Sequence, residues 1–462
     1  PVVSGSLALL KQMFPTVGNP ELAARLLSTA TKTGIYSDSS IYGQGLLDLD
    51  AATRPVGALA VASNSSLNSG LSEISASSIT TSGAGLGNSL AAALKGHNMA
   101  LFDQQGFPFY RDASLLINQT QSPSAVSRLQ HRQQQLSNGA RLQLGNSINS
   151  VNSQGLPLQA DYLALQFGST SEQYTNSKQS LNRFIGINAN PGWFFGVYAD
   201  GSVAPDHNSD DSSFAAPWLS FARNGLSSGG AVDLGPGKLR IGMFEGSLRD
   251  DLLSPDRELK SHGSLLEYSL WSPSLSINFQ RGYISEDDSL LGATLGQNLG
   301  QLKNSATEFF GLNGHVQLNR NWQGVFAVYL GTTENGLEET GLLSLDKSLN
   351  SNAWTLGLNS SPNWQPDDRL SISLHQPLRI QSGQGRLQLA SGRTVDRQVT
   401  YETVSFDLQP QGREQQLELL YQFKIGKINT ATRVEYRMQP NHNPLSRSYG
   451  MIEFSLFKAF SH

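Results

Sequence analysis

The sequence predicts a mainly β protein in which an antiparallel β-barrel follows a short helical segment and a linker. Three observations predict it. From about residue 162 onward apolar and polar residues alternate with a period of two, which puts the two kinds on opposite faces of strands. Gly-, Pro- and Asn-rich turns punctuate the alternation. Charged residues make up only 15% of the chain while glycines number 45, a composition suited to strands joined by many turns. Roughly 12 to 16 strand segments are legible, many about 9–11 residues long, which is the length a tilted strand needs to cross a bilayer.

In chain order, the first stretch is PVVSGSLALLKQMFP. It opens on Pro1 without an initiator methionine or a signal segment, so it reads as an internal piece. Proline suits the first turn of a helix, where its missing N–H would be unpaired anyway. Val2, Val3, Leu7, Leu9 and Leu10, with small Ser4, Gly5, Ser6 and Ala8, predict a helix buried nearly all round. Its partners are expected outside this chain, and residues 1–55 are expected to lack a stable fold alone. A second helix follows Asn19-Pro20, with Glu21 in its first turn, Leu22, Leu26 and Ala30 at helical spacing, and Gly34 as its stop. Asp48 and Asp50 form a tempting carboxylate pair, but their place before an Ala-rich turn predicts capping acids.

Residues 62–89 are rich in Ser, Gly and Asn and read as a linker, or else as a stalk of short stacked strands. SLAAALKGHNMALFDQQG (89–106) predicts a helix, FPFYRD (107–112) an aromatic knot, and SAVSRLQHRQQQLS (124–137) a polar helix. These boundaries divide the chain into 1–57, a linker with helical segments over 58–160, and the barrel over 161–462.

The strands show their faces plainly. In FFGLNGHVQL, Phe310, Leu312, Val316 and Leu318 oppose Asn313, His315 and Gln317. In RLSISLHQPLRI, Leu370, Ile372, Leu374, Leu378 and Ile380 oppose Ser371, Ser373, His375 and Arg379. Leu417, Leu419, Tyr421 and Phe423 oppose Glu418 and Gln422; Ile428, Val434, Tyr436 and Met438 oppose Arg433, Glu435 and Arg437. Turns are expected at 190–192, 235–238, 382–385 and Gly426.

Periodicity alone does not say which face points outward. A membrane barrel and a soluble sandwich or open barrel both satisfy it. Aromatic residues tip the reading toward the membrane, where Trp193, Phe194, Trp218, Tyr283, Trp322, Tyr329, Trp354, Tyr436 and Tyr449 would form interfacial girdles. The final stretch, with Ile452, Phe454, Leu456 and Phe460 in step, resembles the closing strand of outer-membrane proteins. It departs from that pattern at Lys458 and in the Ser461-His462 that follow Phe460.

PVVSGSLALL resembles the helix after the catalytic serine in subtilisin-like proteases, the subtilases, whose GTSxAxP motif ends on a proline that Pro1 matches. NPELAARLLSTATKTG (19–34) resembles the next helix of that family, and IYGQGLLDLDAATRP (41–55) its closing YGxGxxDxxxA segment. The three matches occur in order and cover about the first 57 residues. SLHQPLRI, SGRTVD and PQGREQQLELLYQF, within 373–423, resemble the closing part of bacterial subtilases that carry a barrel. The resemblance implies a subtilase autotransporter, in which a secreted or surface-anchored serine endopeptidase is the passenger and an outer-membrane barrel is the translocator. Its partners would be outer-membrane lipid and, for the whole protein, protein or peptide substrates. The alternatives are a porin or adhesin carrying a protease remnant, and a soluble β module that binds beside the protease.

The chain itself offers no residue for catalysis, for a cofactor or for a metal. In family order the triad Asp, His and Ser and the oxyanion Asn all precede Pro1. The eight histidines form no metal spacing, and no GxSxG elbow occurs. His315 and His375 lie on polar strand faces. The acidic stretches PDHNSDDSS (205–213) and SEDDS (285–289) offer clustered oxygens for Ca²⁺, although solvated loops are equally acidic. A net charge of -4 gives no footprint for nucleic acid, and the absence of cysteine removes disulfide and thiol chemistry.

Overall fold

Thirteen antiparallel strands form one meandering sheet. A computed structural model describes residues 1–62, 64–81, 85–119, 183–189, 193–199, 216–222, 224–249, 258–338, 341–365, 368–426 and 428–458. The strands of the sheet are β1 (Arg183–Ala189), β2 (Trp193–Ala199), β3 (Asn224–Leu234), β4 (Gly237–Arg249), β5 (Glu258–Ser272), β6 (Leu275–Glu286) and β7 (Ser305–Gln317). They continue as β8 (Trp322–Glu334), β9 (Ser348–Ser360), β10 (Arg369–Ser382), β11 (Gln415–Ile425), β12 (Ile428–Met438) and β13 (Tyr449–Lys458). Each strand pairs with its neighbours in sequence order, as in an up-and-down barrel. Among the described residues β1 and β13 are not paired with each other.

The connections differ at the two ends. Two residues join β3 to β4, β5 to β6 and β11 to β12 at one end, whereas β6–β7, β8–β9 and β10–β11 are joined at the other by long loops. The longest of these carries a projecting arm, in which strand Gln384–Arg393 pairs with Val399–Asp407 on one side and with Leu343–Leu345 from another loop on the other. The expected turn at 382–385 is therefore the hinge into this arm. The turns at 235–236 and at Gly426 do close hairpins of the main sheet, and the one expected at 190–192 lies outside the described residues.

One strand departs from simple alternation. In β10, Leu374 pairs with Leu356 on the outer face, but the register slips between the pairs Trp354–Gln376 and Asn352–Arg379. The extra residue lies beside Pro377, which has no N–H for the ladder. The slip exchanges the faces, so Leu378 and Ile380 turn inward and are buried instead of sharing a face with Leu374.

Residues 1–119 sit on the long-loop end. Helix α1 (Val2–Met13) packs on α2 (Asn19–Ser28) through a small core of Leu10, Phe14, Val17, Leu22, Leu26 and Ala52, closed by Phe107 and Phe109. Val2, Val3, Leu9 and Met13 stay exposed, so α1 is buried on one side only and not all round. The segment is not orphaned, because the 107–109 aromatics cover part of it. Gly96, with φ +86, and the turn around it end the predicted 89–106 helix early. The helix runs Ser89–Leu94, and Asn98–Phe102 then pairs as a strand with Pro108–Asp112. The described part of 62–89 is likewise built in: Ile79–Thr81 pairs with Ile117–Gln119 and with Thr294–Leu295 of a barrel loop.

Two arginine centres join these parts. Arg25, fully buried, donates to Asp103 (2.7 Å), to the carbonyls of Ala52 and Arg54, and to Gln105, with its guanidinium 4.2 Å from the Phe107 ring centre. Arg393 of the arm, also buried, donates to Glu21 (2.8 Å) and to the Gly106 carbonyl (3.1 Å), and Arg397 donates to Glu21 as well. Glu21 also accepts the Gly18 N–H at the start of α2, so one side chain caps the helix and ties it to the arm. Burial pushes the Glu21 carboxyl upward, but its bonds to Arg393 and Arg397 outweigh this and hold it below the ordinary range.

A carboxylate depressed in the folded state stabilises above its unfolded pKa and loses that contribution as pH falls through its folded value. Amide exchange in residues 1–57 should therefore accelerate below the ordinary carboxylate range. Glu21→Gln should accelerate the same amides at neutral pH and flatten the pH dependence.

Candidate functional site: an inverted sheet

The two faces of the sheet carry the reverse of a water-soluble barrel's pattern. Ile241, Met243, Leu266, Phe279, Phe310, Leu312, Val328, Leu330, Leu356, Leu358, Leu417, Val434, Ile452 and Phe454 are all exposed on the outer face. Phe310 to Leu318 on and just beyond β7 spans eight residue steps, roughly 26 Å along a strand at about 3.3 Å per residue, the order of an outer-membrane barrel's apolar band. Toward the long loops the outer face changes to Glu245, His262, Arg281 and Glu308, and Arg281 pairs with Glu308 at 3.5 Å. Toward the short turns it ends in aromatics. Trp364 is exposed and lies 5.5 Å from Tyr421, which stacks on Phe423 at 5.0 Å and donates its hydroxyl to Asp368.

The inner face buries charge in pairs. Arg240 donates to Glu267 (2.8 Å) and Ser269, and Gln280 donates to the other Glu267 oxygen (2.6 Å). Asn278 donates to Asn313, which donates to the Tyr329 hydroxyl. Arg433 lies 3.4 Å from Glu418. Arg437 donates to Glu414 and to the Tyr449 hydroxyl, with Glu435 at 3.8 Å. His375 shares a hydrogen bond with Gln416, which donates to Glu414. The inner face is thus filled and ion-paired, the salt-bridged form of a polar lumen.

At the long-loop rim Glu414 is a hub. It accepts from Arg437, Gln416 and the Asn441 N–H, and its own N–H donates to Nδ1 of His442 (2.9 Å). His442 donates from Nε2 to the Leu378 carbonyl (2.9 Å), which fixes the neutral tautomer. Burial holds His442 down at about 4, only partly opposed by that hydrogen bond and by Glu414. Burial raises the Glu414 carboxyl, and the Arg437 charge overcomes it, leaving the group below its ordinary range.

Several expected residues lie elsewhere. Trp218, Tyr329 and Tyr449 face inward instead of forming a girdle: Trp218 stacks on Phe309, and both tyrosine hydroxyls join the polar network. Tyr283 and Tyr436 are exposed, Trp322 and Trp354 are half-buried on the outer side, and the side chains of Trp193 and Phe194 lie outside the described residues. In 285–289, Glu286 accepts from Ser289 and from the N–H groups of Leu291 and Gly292, so its oxygens are taken by the loop itself. No group of three metal-ligating side chains occurs among the described residues. The 205–213 loop and the 124–137 helix lie outside them, as does Phe460. Trp364 was not singled out by alternation, since it sits in a connection; its neighbours Pro362 and Pro366 mark that connection as a turn.

No family model matches this chain, and no curated protein matches it. Among solved structures, in-vitro folded OmpT, an outer membrane protein of Vibrio cholerae, shares 11% identity at a TM-score of 0.31, over 60% of this chain and 77% of its own. OccAB4 of Acinetobacter baumannii shares 8% at 0.28, over 61% and 65%. The β domain of the Bordetella autotransporter BrkA shares 10% at 0.23, over 60% and 96%. At these scores the likeness carries no argument, and the assignment rests on the side chains. An apolar outer face, a charged and paired inner face, and short turns opposed to long loops make this a sheet of the bacterial outer-membrane barrel type.

Stability measured in lipid vesicles reads the two faces. Leu356→Arg, near the middle of the outer face, should cost about 2–4 kcal/mol. Glu267→Ala removes the carboxylate beside the buried Arg240 and should cost about 3–5 kcal/mol, whereas Arg240→Met with Glu267→Leu should be near neutral. His375→Arg should destabilise despite its polar face, because it adds a cation near Arg433 and Arg437. The His442 loop should weaken with acid: the unfolded imidazole takes its proton near 6.5 and the folded one only near 4, so stability falls across that window. The loss is on the order of 3 kcal/mol. Amide exchange of 439–448 against pH reads it, and His442→Gln should abolish the slope.

Proposed function

We propose that this chain is the C-terminal part of a secreted or surface-anchored subtilisin-like serine endopeptidase, and that its barrel is the translocator or anchor of that protease in the bacterial outer membrane. The observation that carries the reading is the side of the sheet on which residues 1–119 lie. They rest on the long loops, through Arg393, Arg397 and the 294–295 bridge, and long loops face outward in outer-membrane barrels. A protease segment docked there is a passenger that has crossed the membrane. The subtilase resemblance of residues 1–57 supports the identity of the passenger. The half-exposed α1, with Val2, Val3, Leu9 and Met13 uncovered, suits a helix that the rest of such a domain would cover.

The catalytic serine, histidine and aspartate of that endopeptidase are not among these residues, so acyl transfer belongs to the whole protein and its protein or peptide substrates. This chain contributes the helix behind the nucleophile and the membrane part.

The test is made on intact cells producing the chain. A protease added outside should cleave residues 1–57 while the strands stay protected. Protection of 1–57 until the outer membrane is opened would reject the passenger reading. A serine-directed fluorophosphonate should label nothing in the isolated chain, and specific labelling of any serine would reject the view that the triad lies elsewhere.

A further inference from the structure

The inner face of the sheet changes character along its length. Toward the short turns it holds Glu267, Asn278, Asn313, Ser373 and Glu418. Toward the long loops, on β4 to β7 and on β9 and β10, it holds Phe244, Leu265, Ile284, Phe309, Leu349 and Ile380, all buried, while at β11 and β12 the Arg437 and Glu414 cluster borders them. A water-filled mouth would be lined the other way round. These apolar side chains are covered from two sources that form one continuous core with them. The helical turn Pro217–Phe221, from the connection between β2 and β3, brings Trp218 and Phe221. The segment beyond residue 85 brings Leu86, Leu90 and Leu94.

Trp218 is at the centre. It is fully buried and lies against Phe309 with ring centres 4.8 Å apart and planes 18° from parallel. On its other contact it meets Gly331 of β8, where a Cβ would stand 2.3 Å from the indole. The turn is pinned by Ser261, whose hydroxyl donates to the Phe221 carbonyl (3.2 Å). Gly85 holds the second cover in place, donating to the Leu378 carbonyl (3.1 Å) and accepting from the Ile380 N–H (3.0 Å). The indole N–H of Trp218 has no hydrogen-bond partner among the described residues. Packing alone holds it, and withdrawal into water would restore a hydrogen bond.

We propose that Trp218 and the 85–94 segment form an apolar seal across the long-loop mouth, with Trp218 as the gating side chain. The barrel is then closed to ions and small polar solutes at rest, and displacement of the indole opens it. An apolar constriction excludes ions by excluding water. The proposal rests on the membrane reading of the sheet and adds that the barrel, once the passenger is outside, is shut by its own loop and the passenger's base.

The full chain, folded into vesicles and transferred to planar lipid bilayers in potassium chloride, tests this. Insertion is read separately, by co-flotation with vesicles and by heat-dependent migration on gels. The parent should insert and show no discrete conductance. Trp218→Ala, and Gly331→Ala, which displaces the indole without removing it, should both insert and show discrete steps; Trp218→Phe should stay closed. Discrete steps from the parent, or silence from both inserted variants, would overturn the seal. Failure of the variants alone to insert would show that Trp218 holds the barrel and not its mouth, and would also overturn it. Failure of the parent to insert would reject the membrane reading and the gate with it.

Discussion

The constraint on which the structure depends is that charges buried on the inner face must find partners within the sheet. Arg240 has Glu267, Arg433 has Glu418 and Arg437 has Glu414. An unpaired charge in such a place costs several kcal/mol, so the register that brings each pair together is strongly preferred. That register decides everything on the other side. With the charges inside, the period of two sends Leu312, Leu356, Leu417 and Val434 outward, and a face of that kind is stable only against lipid.

The same alternation made most of the fold legible in the sequence. The faces of β7, β11 and β12 follow it residue by residue, and so do the turns at 235–236 and at Gly426. It failed where a local event breaks the period. Beside Pro377 a single extra residue exchanges the faces of β10, and nothing in RLSISLHQPLRI other than the proline signals it. It failed again for Trp218, Tyr329 and Tyr449, because an aromatic side chain stacked on an inner partner and one at a lipid interface look alike in a sequence. The order of residues 62–119 was hidden for another reason: Ser, Gly and Asn are as common in short paired strands as in linkers, and the partner strands at 117–119 and 294–295 tell them apart. The helices at 1–55 were legible as helices, but their partners Phe107 and Phe109 lie some fifty residues further on.

The sheet's two ends divide the work. The short-turn end is tied by an aromatic cluster of Trp364, Tyr421 and Phe423 and closes hairpins economically. The long-loop end is elaborated into an arm, a hub at Glu414 and a platform for residues 1–119. The buried guanidinium of Arg393 joins the arm to what rests on it, and that of Arg25 ties α2 to residues 52–54 and 103–105, each with its donors directed at carboxylates and carbonyls. A single glutamate, Glu21, links the helical segment to the arm, so the attachment of the one to the other is sensitive to acid.

The direction of the two faces is read directly by a nitroxide scan along β7 in lipid vesicles. Labels placed singly from residue 306 to residue 317 are each exposed to oxygen, which concentrates in lipid, and to a water-soluble nickel complex. The expected pattern is an oscillation of period two, with oxygen dominant at 310, 312 and 316 and weak access to either reagent at 309, 311 and 313. Nickel access dominant at 310, 312 and 316, with the fold intact after lipid and detergent are removed, would contradict it.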